Sequence, residues 1–172
     1  AEQSRKRLGC GQNSHNIHTS IITGDSTQLD YAALLHDLGI QAVDLIILHP
    51  PYHDIIRFSD DAVDLSNKPD VATFLDGFRQ VVHHTFPILT PGRFLVVVIG
   101  DKFEHGEWIP LGFYAMQAVL DEGYKLKSII VKNYDQTKGK RDQTQLWRYR
   151  ALAGGFYIFK HEYIYVFQKE ML

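Results

Sequence analysis

Hydrophobic positions in this chain gather into short, dense runs separated by amphipathic stretches and by Gly, Pro or Asp punctuation. Residues 17–23 are apolar and β-branched and stop at Gly24-Asp25, which predicts a strand running into a turn. Leu29, Ala32, Ala33, Leu34 and Leu38 give a weak helical pattern closed by Gly39. Residues 43–48 form an almost unbroken apolar run, as expected of a strand covered on both faces, and end abruptly at His49-Pro50-Pro51-Tyr52. A polar loop follows through Ser66-Asn67-Lys68-Pro69. Asp70 then caps a predicted helix over 71–86, where Val71, Phe74, Leu75, Phe78, Val81 and Val82 recur at helical spacing. Thr90-Pro91-Gly92 reads as a turn and 94–99 as a second buried strand, again closed by Gly-Asp at Gly100-Asp101. A helix over 109–120 stops at Gly123, and a third strand occupies 126–131. Residues 133–153 are polar and basic, and 156–159 with 163–167 form two short strands close enough to pair.

Alternating strands and helices with a terminal strand pair describe one α/β domain over residues 1–172, its sheet mostly parallel with an antiparallel edge. Composition adds bounds. Hydrophobic residues make up 45% and charged residues 22%, ordinary for a folded globular chain. The formal net charge of −2 carries no overall basic excess, so affinity for nucleic acid must come from a local patch. Cys10 is the only cysteine, which excludes an intrachain disulfide and a multi-cysteine zinc site and suits a reducing, cytoplasmic compartment. No apolar run approaches the roughly 20 residues that span a bilayer, and residues 1–8 are too polar for a signal peptide. Those eight residues are charged and helix-forming with no initiating Met or N-cap, and read as the last turns of a helix begun earlier. The expectation is a fragment of something longer.

In open α/β sheets, ligands bind beyond the carboxyl ends of the strands. Three such ends carry polar residues here: Gly24-Asp25, His49-Pro50-Pro51-Tyr52 and Gly100-Asp101. The second is the sharpest. Two consecutive prolines fix φ near −65° and remove two backbone donors, making a rigid elbow that holds His49 and Tyr52 and leaves the Pro50 carbonyl as an acceptor. An amino group on a planar ring could stack on Tyr52 while His49 and that carbonyl hold its hydrogens. Its lone pair would then point at an electrophile, which is catalysis by positioning.

At these residues the chain resembles the DNA N6-adenine and N4-cytosine amino-methyltransferase family, whose motif is a small acidic or polar residue, then Pro-Pro, then an aromatic. The resemblance extends over roughly 17–169. Residues 21–26 look like the strand whose acidic residue contacts the cofactor adenosine, 89–101 like the next core strand, and 161–169 like the closing strand. It implies a Rossmann-like, S-adenosylmethionine-dependent methyltransferase fold lacking its first strands. It also implies DNA as partner, with a flipped-out base and direct methyl transfer to the amino nitrogen of adenine or cytosine. His49, Pro50, Pro51 and Tyr52 become the catalytic residues; Asp25, Ser26 and His49 contact the cofactor. A C5-cytosine mechanism needs a cysteine nucleophile, and Cys10 lies before the first strand.

Two positions depart from the family pattern. His49 stands where the family has Asp, Asn or Ser, and accepts a hydrogen bond only while neutral. The glycine-rich cofactor loop has no match. Gly9-Cys10-Gly11 lacks a preceding strand and Gly154-Gly155 lies near the C-terminus, so the loop is expected upstream or on a second chain.

The remaining polar residues are assigned more plainly. Lys138, Lys140 and Arg141 with Trp147, Arg148 and Arg150 combine cations and aromatics and are assigned to DNA contact, with Arg57 and Lys68 as lesser phosphate contacts. Asp101 serves either the site or its own turn. His83-His84 is read as partly buried helix surface, Trp108 as core, and no metal site is expected. The competing readings are an RNA or protein-glutamine methyltransferase, and a catalytically incomplete nucleic-acid-binding subunit.

Overall fold

The computed structural model describes residues 19–133, 144–155 and 160–171. Four strands form the main sheet: β1 (Val43–Leu48), β2 (Leu89–Ile99), β5 (Lys125–Asn133) and β6 (His161–Gln168), in spatial order β1-β2-β6-β5. β1 and β2 are parallel, and β6 runs antiparallel to both β2 and β5. Three strands therefore share one direction, and the reversed β6 sits inside the sheet rather than at its edge. This corrects the expectation that 161–167 forms an edge. β3 (Lys102–Glu104) and β4 (Glu107–Ile109) make a separate hairpin that periodicity did not reveal, turned at His105 and Gly106, both with positive φ.

The helices are α1 (Tyr31–Asp37), α2 (Val71–Ile88), α3 (Leu111–Asp121) and α4 (Thr144–Gly154). Asp70 caps α2 as the sequence predicts, its Oδ1 accepting from the Thr73 amide at 2.7 Å. α2 and α3 bury Phe74, Phe78, Val82, Ala115 and Val119 against Leu95, Val97, Ile99, Tyr165 and Phe167 of β2 and β6. At the start of α3 a β-carbon on Gly112 would lie 2.5 Å from Tyr163 Cδ2, so only glycine permits this close approach of helix to sheet.

Three expectations change. Residues 19–23 are irregular, with Ile21 almost fully exposed, so the predicted first strand is absent from the described part of 17–23. β-branched residues make a strand only where a neighbour accepts their hydrogen bonds, and among the described residues nothing pairs there. Thr90-Pro91-Gly92 lies inside β2 as an irregularity: the β1–β2 register jumps from Val43–Leu89 to Leu45–Phe94, with Gly92 at φ 79°. The basic stretch contains a helix, α4; the predicted strand 156–159 lies outside the described residues.

Among the described residues, helices cover one face of the sheet. On the other, Leu45 is 54% exposed, Ile47 62%, Phe94 37% and Ile130 48%, with Val96, Val98, Ile164 and Val166 half-buried beside them. β1 is also an edge strand, its outer side unpaired among the described residues. The expectation that residues 43–48 are covered on both faces fails within these residues. No described helix is long and apolar enough to cross a membrane.

Candidate functional site

β1 ends at Leu48, and the next two prolines turn the chain across the carboxyl end of the sheet. A cleft of about 690 Å³ opens there, large enough for a cofactor-sized ligand. His49, Pro50 and Pro51 line it from the elbow, Thr23, Gly24, Asp25 and Ser26 from the segment before α1, and Tyr31 from the first position of α1. Leu65, Phe78 and Val81 supply apolar wall, and Ser59, Asp61 and Asp64 come from the loop after the elbow. Two segments, one leading into α1 and one following β1, thus meet at one cavity beside the edge strand β1. The tertiary structure brings Asp25, Ser26, His49, Pro50 and Pro51 together.

Asp25 is held by its own turn. Its Oδ1 accepts from the Thr27 amide at 2.9 Å and the Thr27 hydroxyl at 2.8 Å, and its carbonyl accepts from the amides of Gln28 and Leu29. Oδ2 has no partner among the described residues. The Tyr31 hydroxyl donates to the Ser26 carbonyl at 3.2 Å. Burial first, and then the Asp25 carboxylate, push the Tyr31 phenol up, so it stays a neutral donor beside the cleft.

Tyr52 stands apart. It does not line the cleft; it is half-buried and packs against the hydrophobic core. Its hydroxyl donates to Glu162 Oε2 at 2.6 Å, and Lys132 holds the other oxygen of that carboxylate at 2.6 Å. The ring lies so close to Gly100 that a β-carbon there would approach Tyr52 Cε2 to 2.9 Å. Its centroid is 6.1 Å from that of His49, with the planes tilted by 50°. Tyr52 therefore braces the elbow from the sheet side, while exposed His49 faces the cleft.

Asp101 resolves to structure. Buried, it accepts from the Gly112 amide at 2.9 Å and from Trp108 Nε1 and the Tyr163 hydroxyl at 3.1 Å each, tying the β3–β4 hairpin and α3 to β6. Trp108 is 38% exposed, so it is a hairpin residue rather than core. His83 is exposed and meets Glu122 at 2.9 Å, while His84 is half-buried. Lys68 donates to the Ala62 carbonyl at 3.2 Å. Arg57 is engaged within its loop, donating to the Ser59 carbonyl at 3.0 Å and pairing with Asp60 at 3.1 Å. Four aspartates, Asp54, Asp60, Asp61 and Asp64, share that loop, an unfavourable setting for phosphate. Of the basic segment, Lys138, Lys140 and Arg141 lie outside the described residues. Trp147, Arg148 and Arg150 fall on α4, which turns Arg148 and Tyr149 to solvent.

Sequence reasoning missed the cleft residues Thr23, Tyr31, Asp61 and Asp64, because nothing local marks a residue that a loop brings to a distant strand end. It also missed Glu162 as the partner of Tyr52. The one available signal was a charged residue at the start of an apolar strand.

A family model described as DNA methylase, of the N6/N4 methyltransferases, matches residues 43–171. No curated protein matches the chain. Among solved structures, a putative DNA modification methylase from Thermus thermophilus in complex with S-adenosyl-L-methionine aligns at 21% identity and TM-score 0.57, covering 87% of this chain and 55% of its own. The cytosine-N4-specific PvuII DNA methyltransferase aligns at 13% identity and TM-score 0.55, covering 74% and 42%. An S-adenosylmethionine-dependent methyltransferase from Methanosarcina mazei aligns at 12% and 0.53, covering 99% and 76%. The fold is thus the Rossmann-like methyltransferase fold, and this chain spans about half the length of the first structures it matches.

Proposed function

Because the chain belongs to the N6/N4 DNA methylase family, we propose that it forms the catalytic half of a DNA amino-methyltransferase that takes its methyl group from S-adenosylmethionine. The observation that carries this reading is the shared cleft, where the His49-Pro50-Pro51 elbow meets Asp25 and Ser26.

The cofactor fits the residues present in part. The cleft is large enough, its walls are mixed apolar and polar, and Asp25 Oδ2 and the Ser26 hydroxyl are suited to nucleoside hydroxyls or an amino group. When bound, the cofactor supplies an electrophilic methyl group. The glycine-rich turn of the family is missing from the sequence. The unpaired edge of β1 and the open apolar face suggest where it enters: further strands add alongside β1 and close the cleft's open side, with helices over Leu45 and Ile47. That half comes from another segment of the protein or from a second chain.

The chain's own residues then act by positioning. His49, with a neutral imidazole nitrogen, and the Pro50 carbonyl accept the two hydrogens of a flipped-out amino group and direct its lone pair into the cleft. Tyr52, fixed by Glu162, braces the elbow from the sheet side and so sets where His49 and Pro50 stand. The exocyclic nitrogen is that of adenine or cytosine; the elbow suits both. Arg148 and Tyr149 on α4, with Lys138, Lys140, Arg141, Trp147 and Arg150, supply the basic and aromatic surface for DNA, and Arg57 joins them only if DNA displaces Asp60.

In the full-length protein, His49→Ala should lower methyl transfer to duplex DNA on the order of 10²-fold without changing cofactor affinity by calorimetry. His49→Asn keeps a hydrogen-bond acceptor at the same place, so it should retain much of the activity that His49→Ala loses. An H49A protein with full activity would remove His49 from the role. Transfer to RNA or protein in place of DNA would assign the elbow to another planar nitrogen.

A further inference from the structure

The residue after the elbow is as constrained as the elbow itself. His53 is buried and has φ 54°, a left-handed backbone that a β-carbon disfavours and that few non-glycine residues adopt. Its Nε2 lies 2.7 Å from the Lys68 carbonyl, and its Nδ1 lies 2.8 Å from Lys102 Nζ. Lys102 comes directly after Gly100-Asp101, at the carboxyl end of β2, and its side chain is only 3% exposed. Besides His53, its ammonium meets the Asp54 carboxylate and, at 3.0 Å, Glu104 Oε2. Those three contacts use the three hydrogens of an ammonium group.

The proton positions follow from this geometry. A carbonyl can only accept, so His53 Nε2 carries the hydrogen. An ammonium can only donate, so His53 Nδ1 is the bare nitrogen. The imidazole is held in place between the loop at Lys68 and the end of β2, and the two partners favour one arrangement of its ring hydrogens. Burial pushes the Asp54 carboxyl up, but its hydrogen bond and charge interaction with Lys102 outweigh this and hold it below the usual carboxylate range. The ring also packs on Phe74 of α2, with centroids 5.8 Å apart. Neither Lys102 nor His53 lines the cleft.

We propose that Lys102 is a positioning residue for the elbow: by fixing the tautomer and backbone of His53, it sets where His49, Pro50 and Tyr52 stand relative to the end of β2. The proposal rests on the methyltransferase reading for its kinetic consequence but not for its structural one. Rigid prolines transmit displacement rather than absorb it, so a shift at His53 reaches His49 through the stiff Pro-Pro pair. The opposite side of the elbow is tied by Tyr52 to Glu162 and Lys132. The elbow is thereby fastened to the ends of two neighbouring strands, β2 and β6.

The test uses the full-length protein and two readouts. First, ¹⁵N-resolved NMR of the wild-type imidazoles should show His53 as a single Nε2–H tautomer; an Nδ1–H or mixed tautomer overturns the proposal, whatever the activity. Second, Lys102→Met should release that tautomer and lower kcat for methyl transfer on the order of 10–100-fold, with KM for DNA within about twofold. His53→Asn tolerates the left-handed backbone and should give a similar loss, and the double variant should be no worse than either single one, because both cut the same link. Additive losses, or K102M with an unchanged tautomer and unchanged kcat, overturn it. If K102M does not fold, the wild-type spectrum and the H53N kinetics decide. A wild-type protein that methylates no substrate would refute the reading of the site while the spectrum still decides the clamp.

Discussion

The two faces of the central sheet are built from similar residues and meet different fates. On one, Leu95, Val97, Ile99, Tyr165 and Phe167 are fully or almost fully buried under α2 and α3. On the other, Leu45, Ile47, Phe94, Ile130, Val96, Val98, Ile164 and Val166 are equally apolar, and the first four are more than a third exposed. β2 shows the contrast in one strand, since from Phe94 to Ile99 its odd positions are core and its even positions face outward. A face this apolar is not a solvent face, because an antiparallel sheet with one wet side alternates apolar with polar. The difference teaches that burial here depends on which layers cover a face, and the proposed additional layer would cover the second one. The functional cleft lies where that layer would meet β1.

The contrast can be broken most severely from the covered side. Phe167→Ala should cost about 3–5 kcal/mol of stability by denaturant unfolding, since it empties a filled site between β6 and the helices; a loss as small as that of a surface substitution would mean the covered face is loosely packed. Alkaline titration sharpens the same side. Burial, with Asp101 adding to it, pushes Tyr163 up to about 12, and burial likewise pushes Tyr124 up to about 12. Both ionise more readily in the unfolded chain, near 10. Stability from these phenols is therefore complete below pH 10 and is lost as pH rises towards 12. Denaturant midpoints that hold steady across that interval would show both rings to be solvated. The smallest effect belongs to the open side. Ile47→Ser should change the stability of this chain by no more than about 0.5 kcal/mol, as at other exposed sites. In the full-length protein the same change should cost about 1.5–3 kcal/mol, because a covered isoleucine loses its burial. Equal effects in both would mean that nothing docks on this face.

Much of the site was legible because proline chemistry is local. Two prolines after a strand specify a rigid turn in any context, and the turn is where the sequence places it, with His49 facing a cleft. Asp70 as a helix cap was legible for the same reason. Tyr52 was harder to place: the motif puts its ring beside the target, but only the fold shows it tied to Glu162, 110 residues later. Trp108 reversed expectation and Asp101, left open between two roles, was decided with it, since a hydrogen bond between them holds one at a hairpin surface and the other is buried.

The amino-acid sequence by itself determined the strands and helices of the α/β alternation and the elbow that ends β1, because periodicity, capping and proline restriction act within a few residues. The tertiary structure alone decided that β6 lies inside the sheet, that residues 19–26 reach the elbow without forming a strand, and that among the described residues one sheet face is left partly exposed. Those outcomes depend on long-range pairing and on which surfaces find a partner, and no local pattern of side chains encodes either.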